Sequence, residues 1–265
     1  MSIIQGTAKS GGTVAASFYD YPIGDSLRFD GSSYLSRTPS TAGNRKTWTF
    51  SVWTKWSVTQ NGTIFHQYDG TSGNRCLFIL QSDYTFQANS GGSGSNINKI
   101  ITSSLYRDSS AWYHFIIAND TTQSTASDRI KLWVNGVEIL TTKTPANQYT
   151  DGLCNTNILM ELGQHAGGYF GGYMANIQFI DGQALDQYFF GEFKDNIWVP
   201  YNAFSTAGSG TATASDNDTA TDSYGTNGFH LTFEDGIESL PVGGYTGNQN
   251  AFRDKSHNTN HWKIN

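Results

Sequence analysis

From Leu27 onward, apolar and polar residues alternate in short bursts with a period of two, the spacing of strands that bury one face. In TWTFSVWTKW (47–56), Trp48, Phe50 and Val52 fall on one side, and Thr49, Ser51, Trp53 and Lys55 on the other. The first set is the expected core face. Further strands are expected at GTIFHQY (62–68), CLFIL (76–80), YTFQA (84–88), AWYHFIIAND (111–120), RIKLWVNGVEIL (129–140) and GYMANIQFI (172–180). Loops rich in Gly, Ser and Asn separate them. In LRFDGSSYLSR (27–37), Asp30-Gly31 reads as the start of a hairpin turn. Asn135-Gly136, between Val134 and Val137, reads as a type I′ turn, whose two central residues both need positive φ. Many short strands punctuated by turns mean a sandwich or a barrel.

The pattern lapses twice. Residues 1–26 are rich in Gly, Ser and Thr around one aromatic knot, SFYDYP, and read as an arm that docks through Phe18, Tyr19, Tyr21 and Ile23. Residues 191–226 read as an extended loop, with STAGSGTATASDNDTATDS (205–223) lacking apolar anchors. Alternation then returns in NGFHLTFEDG (227–236), where Phe229, Leu231 and Phe233 share a face, and again at Trp262 and Ile264. The expected organisation is an arm (1–26), a sandwich (27–190), a loop (191–226) and C-terminal strands (227–265) packed on the same sandwich, beside GYMANIQFI. Donation of those strands to a neighbouring subunit is the alternative.

Composition supports an all-β chain: 29 glycines and 14% aromatic residues, against only 14% charged residues, make poor helix material. A net charge of -6 without any Lys/Arg run offers no footprint for nucleic acid, and no apolar run is long enough for membrane insertion. The start, MSIIQGTAKSGG, lacks a basic segment followed by an apolar one, so synthesis in a cytoplasm without a signal peptide is expected. In that compartment Cys76 and Cys154 read as two buried thiols rather than a disulfide.

The last residues, RDKSHNTNHWKIN (253–265), concentrate side chains that bind metals, bond sugars or shape turns. His257 and His261 are four apart, but without a helix to align them they read as part of a turn, and Asp254, Asn258 and Asn260 as groups bonding the local backbone. No metal site is expected. Asp30, Asp69 and Asp120 form no calcium ligand series, and calcium is left open. His114 alternates with Trp112 and Ile116 and reads as a core histidine with its hydrogen bonds satisfied.

Four segments in this order, SLRFDGSSYLSRTPSTAGNRKTWTFSVWTK (26–55), WYHFIIANDT (112–121), IKLWVNGVEI (130–139) and GYMANIQFIDGQAL (172–185), resemble the concanavalin A-like, laminin-G-like lectin/glucanase family. SRTPSTAGNRKTWTFSVW (36–53) resembles the branch found in structural proteins of bacteriophage virions, such as decoration, head-fibre and tail-fibre proteins. The resemblance implies a two-sheet antiparallel jelly roll. It also implies a permuted order, because HLTFEDG (230–236) and DKSHNTNHW (254–262) look like segments that open many relatives. The function it implies is a non-catalytic, lectin-like protein on the virion surface, held to other virion proteins by the arm, present in many copies and adhering to glycans. A ligand-free cement protein and a glycan-degrading enzyme are the alternatives. Glucanases of this fold carry alternating carboxylates on one strand; the nearest cluster here, GEFKD (191–195), is interrupted by Lys194, so no catalytic residues are assigned.

Sugar binding needs an aromatic platform edged by amides and hydroxyls. Trp53, Trp133, Asn176 and Gln178 share the polar sides of their strands and form one candidate platform, unless a loop or the arm covers them. The loop GQHAGGYFGGY (163–173) is the second candidate, through His165, Tyr169 and Phe170, unless its aromatic residues pack inward.

Overall fold

The computed structural model describes residues 21–57, 61–71, 73–91, 97–141, 143–201, 224–244, 246–256 and 258–265. Among these residues the chain forms two large antiparallel sheets, and helix is confined to the single 3₁₀ turns Ala126–Asp128 and Gln187–Phe189. The seven-stranded sheet runs Leu27–Asp30, Gly171–Asp181, Thr47–Trp56, Tyr113–Asp120, Ile130–Val134, Val137–Glu138, with Phe229–Leu231 also paired to Gly171–Asp181. The ten-stranded sheet runs Lys143–Thr144, Ile97–Ile101, Phe86–Gly91, Arg75–Leu80, Gly62–Tyr68, Met160–Leu162, Leu35–Arg37, Trp262–Ile264, Asn248–Phe252, Glu238–Pro241. This is the expected all-β sandwich, consistent with a concanavalin A-like jelly roll.

Alternation decides what lies between the sheets. Trp48, Phe50 and Val52 are fully buried, and the Phe50 ring sits 5.0 Å from Phe78 and 5.4 Å from Phe65 of the opposing sheet. Such aromatic pairs add about 0.5–1.5 kcal/mol each beyond area burial. Asn135 and Gly136 take φ of 48° and 77°, the left-handed pair that a type I′ turn demands.

Three expectations are corrected. Residues 27–37 are not a hairpin: Leu27–Asp30 pairs with Gly171–Met174 and Leu35–Arg37 with Met160–Leu162, so the chain crosses between layers. The Asp30-Gly31 turn forms, with the Asp30 carboxylate accepting from the amides of Ser32 and Ser33 (2.9 and 2.8 Å), but each short strand joins a larger sheet instead of its neighbour. Second, Cys76 and Cys154 form a disulfide. The 154 loop is pinned on both sides, by Leu153 N–H to Gly91 O (2.6 Å) and Asn155 N–H to the Gln67 side chain (2.7 Å), which brings the two Cα atoms to 5.1 Å. The redox compartment says nothing of how close two cysteines lie in the fold. Third, the segment read as extended loop holds a hairpin, Gly191–Lys194 with Ile197–Pro200, turned by Asp195 and Asn196 at φ of 49° and 63°.

The C-terminal strands complete both sheets. Phe229–Leu231 lies against Ile177–Phe179, in line with Leu27–Asp30 on the same edge of the same strand. Trp262–Ile264 lies between Leu35–Arg37 and Asn248–Phe252, with Trp262 fully buried. Phe233 leaves the strand at φ 67° but stays buried against Phe252, 5.1 Å away. A polar clasp joins this segment to the loop before Thr47. Asp181 accepts from Asn44 N–H (2.7 Å), Asn155 Nδ2 (2.6 Å) and Asn227 N–H (3.1 Å), while buried Arg37 donates to Asn227 O (3.0 Å) and Asn260 Oδ1 (2.6 Å). Its carboxylate and guanidinium are thereby hydrogen-bonded inside the fold, as buried charges require.

Candidate functional site

The outer face of the seven-stranded sheet is roofed. Trp198 of the 191–200 hairpin, with Phe190, Leu185 and Tyr224, packs over Ile116, Ala118, Trp133 and Ile180. A Cβ at Gly136 or Gly191 would overlap the Trp198 indole, so both positions need glycine. Trp133, Asn176 and Gln178 are therefore buried, and Trp53 is half-buried against the His114 ring at 4.5 Å. Tyr224 donates its hydroxyl to Gln178 (2.9 Å), and Asn176 Oδ1 lies 2.5 Å from His230 Nε2. This corrects the open-platform expectation: Trp53, Trp133, Asn176 and Gln178 belong to an interior layer, because the segment after residue 184 folds back across them.

Beneath this roof Ser51 Oγ lies 2.8 Å from His114 Nε2, a distance suited to a nucleophile and its base. The geometry runs the other way. Trp198 Nε1–H, which can only donate, points at His114 Nδ1 (2.9 Å), so the ring proton sits on Nε2 and is given to Ser51. Burial also pushes the imidazole down to about 3, leaving it neutral. This pair holds strands together and has no free lone pair with which to activate a hydroxyl.

The ten-stranded sheet carries a different face. Phe65, Cys76, Phe78, Met160 and Leu162 point into the core, so His66, Tyr68, Arg75, Leu77 and Glu161 point outward. The small hairpin Gln164–His165/Gly168–Tyr169 turns at Ala166 and Gly167 (φ 47° and 81°) and sets His165 over His66, with ring centroids 4.0 Å apart. His66 Nδ1 lies 3.2 Å from Glu161 Oε2; a carboxylate only accepts, so Nδ1 carries a proton. Tyr68, 43% exposed, flanks His66 at 6.1 Å, and Tyr169 packs 6.2 Å from Tyr34. Burial, and then the neighbouring His66 and Arg75, push His165 down to about 4.

This face is dense in buried polar atoms without protein partners. They are His66 Nε2, His165 Nδ1, Arg75 Nε, Asn89 Oδ1 and Gln164 Oε1. Each would cost on the order of 1–3 kcal/mol if left unpaired. These atoms are enclosed, and His66, Leu77 and Asn89 are buried; what the face offers to solvent is Tyr68 and the half-buried Tyr34, Arg75, Glu161, His165 and Tyr169. Of the second candidate group, the structure brings His165 and Tyr169 to this face and withdraws Phe170, which is fully buried edge-on to Phe29 at 5.9 Å. His66, Tyr68, Arg75, Asn89 and Glu161 were missed from sequence; the signal was alternation in GTIFHQY, which sets His66 and Tyr68 opposite Phe65.

The C-terminal motif is a turn built around Asp254. Its carboxylate accepts from the amides of His230 (2.8 Å), Ser256 (2.8 Å) and Asn260 (2.9 Å), and its own N–H donates to His261 Nδ1 (3.0 Å). Asn258 and Asn260 reach the carbonyls of 225–228 rather than their own loop. His257 lies outside the described residues, as do Phe18 and Tyr19; Tyr21 and Ile23 are half-buried in a shallow cleft with Asn176, Thr232 and Glu234. Asp30, Asp69 and Asp120 each accept from their own turn amides. Among the described residues, no three His, Cys, Asp or Glu side chains are placed to hold a metal together.

Residues 29–187, more than half of the chain, match the family described as the concanavalin A-like lectin/glucanases superfamily. The chain belongs to this superfamily. Solved structures similar to this member include a native heptameric SAP-like pentraxin from Limulus polyphemus (16% identity, 62% of this chain, 79% of that chain, TM-score 0.47). Another is domain 4 of AbnA, a GH43 extracellular arabinanase from Geobacillus stearothermophilus, in complex with arabinotriose (20%, 66%, 78%, 0.44). A third is the CBM40 of Ruminococcus gnavus IT-sialidase bound to α2,3-sialyllactose (14%, 57%, 88%, 0.39). No curated protein sequence matches the chain.

Proposed function

We propose that this protein is a non-catalytic glycan-binding module presented on a virion surface, and that it binds through the outer face of its ten-stranded sheet. The observation that carries the glycan reading is the cluster of exposed and half-buried rings, Tyr68, Tyr169, Tyr34 and His165, gathered over buried His66. Stacking on one exposed ring contributes on the order of 1 kcal/mol, so useful adhesion relies on many copies. The non-catalytic reading draws on the Ser51–His114 pair, whose tautomer is wrong for a base, and on Lys194 within GEFKD. The virion reading rests on the resemblance of residues 36–53. Arg37, Asn44 and their neighbours there are committed to the clasp, so that motif speaks to the lineage of the fold and not to its ligand.

Purified protein mixed with host polysaccharide tests the proposal. Retention without release of reducing ends is expected, and His66→Ala with Tyr68→Ala should abolish it while the protein stays folded. Release of reducing ends makes the protein an enzyme; no retention makes it a cement. Deleting residues 1–26 should leave a folded protein that no longer joins particles, and full incorporation of the deletion would refute attachment through the arm.

A further inference from the structure

The hairpin Gln164–His165/Gly168–Tyr169 is two residue pairs long and belongs to neither large sheet. At its base Gly163 N–H donates to Ile64 O (3.1 Å), Phe170 N–H donates to Gly163 O (2.8 Å), and Phe170 is fully buried. Beyond that base, its ring contacts are His165 on His66, with centroids 4.0 Å apart, and Tyr169 beside Tyr34 at 6.2 Å. The titratable and charged groups facing the His165 ring are His66 from Gly62–Tyr68, Arg75 from Arg75–Leu80 and Glu161 from Met160–Leu162. The phenols of Tyr68, Tyr169 and Tyr34 border them, and Glu161 is engaged by His66 Nδ1 at 3.2 Å. His165 Nδ1 and His66 Nε2 are enclosed, with no hydrogen-bond partner among the described residues. An imidazolium donates from both ring nitrogens. A protonated His165 would therefore hold a buried donor that nothing accepts from, against a second imidazole and near a guanidinium.

We infer that the stacked His66–His165 pair is an acid-released latch: it holds the Gln164–Tyr169 hairpin on the sheet at neutral pH, and protonation of His165 lifts the hairpin from its base at Gly163 and Phe170. Burial first, then the neighbouring His66 and Arg75, push His165 down to about 4 while the hairpin is closed. Lifted into water, the ring returns to about 6.5. Between these values the open form binds a proton that the closed form refuses. Closure is thus fully present above pH 6.5 and weakens about tenfold per pH unit as pH falls, levelling off below about 4. From pH 7 to pH 5 the ratio of open to closed rises about twentyfold. The latch itself stands on these contacts. Its consequence for a ligand rests on the glycan-binding reading: the hairpin carries His165 and Tyr169, two rings of the proposed face, so acid release dismantles that face and lowers retention.

Amide hydrogen exchange of the full-length protein at pH 7 and pH 5, corrected for the intrinsic pH dependence of exchange, tests the latch. The amides of residues 164–170 should lose about twentyfold in protection, while still exchanging faster than those of Tyr113–Asp120, which open only with the whole fold. The His165 ring resonances should titrate well below pH 6.5. His165→Phe keeps a ring on His66 and His165→Gln removes it, but neither side chain takes up a proton, so both variants should lose most of the change. Equal protection at the two pH values, a His165 titration near 6.5, or the full change persisting in both variants overturns the inference. Retention of host polysaccharide should also fall from pH 7 to pH 5, and His165→Phe should lose that dependence whatever its retention at pH 7. Retention unaltered by an opened hairpin overturns the hairpin's part in binding. Acid-responsive exchange with no polysaccharide retained at either pH removes the glycan-binding reading and supports the latch.

Discussion

Trp198 has only an N–H to offer His114, and that decides what the imidazole can do: Nδ1 must accept, Nε2 must donate, and adding a proton breaks the contact. His230 is in a similar position beside Asn176, and burial holds both rings at about 3. The unfolded chain protonates them near pH 6.5. Between pH 6.5 and 3 it therefore binds protons that the native protein refuses, so stability is fully present above 6.5 and falls as pH drops, by about 1.4 kcal/mol per pH unit for each histidine. His165 and His261 are lowered too and act with the same sign. Asp30, Asp83 and Asp108 are lowered by hydrogen bonds from their own turns, and their contribution is likewise lost as pH falls. Urea midpoints should drop steeply from pH 7 to 4.5, and His230→Gln should reduce the slope; a flat profile would show that these rings reach solvent. That His114 is a satisfied interior residue was legible in its alternation with Ile116. Its partner, 84 residues away, was not.

Strands that look equivalent in sequence do unequal work. Leu27–Asp30 and Phe229–Leu231 share one edge of Gly171–Asp181, on either side of Asn176, whose φ of 46° marks the bulge against Thr47–Trp56. Trp262–Ile264 is interior to its sheet, and among the described strands the Glu238–Pro241/Asn248–Phe252 hairpin joins that sheet through it. Truncation after Asn250 should strip that attachment and bare the edge of Leu35–Arg37. Light scattering should show aggregation of the truncated chain at concentrations where the full chain is monodisperse, and a monodisperse, fully folded truncation would refute this account. Periodicity located these strands because a three-residue apolar alternation survives in FHL and WKI. It could not tell that Leu27–Asp30 and Leu35–Arg37 part company, since pairing partners are a matter of which sheet lies within reach.

At the scale of the whole molecule, two sheets and a roof make three layers, and the outer face of the ten-stranded sheet gathers, around His66 and His165, several of the buried polar atoms that lack a protein partner among the described residues. The Cys76–Cys154 disulfide ties the Arg75–Leu80 strand of that sheet to the loop leading into Met160–Leu162, across 78 residues. In the chain-entropy picture a loop of this length is worth about 4.5 kcal/mol, and measured values are commonly about 2–4. The Cys76→Ser/Cys154→Ser protein should unfold at lower urea by about that amount, with unchanged ligand retention, because neither sulfur touches the His66 face. An identical midpoint for the wild-type protein with and without reductant would mean that the bond is not formed in solution.

The sequence by itself determined the class of fold, the core positions and the type I′ turn at Asn135-Gly136, since period-two burial and positive φ are local demands that each segment must meet wherever it lands. It also marked His165 and Tyr169 as surface candidates. Tertiary structure alone decided that Trp53 and Trp133 lie under a roof, that Cys76 meets Cys154, and that His66, Arg75 and Glu161 gather beneath His165. Each of those outcomes depends on contacts between segments tens of residues apart, and alternation says only that a side chain faces away from the core, not what lies across from it.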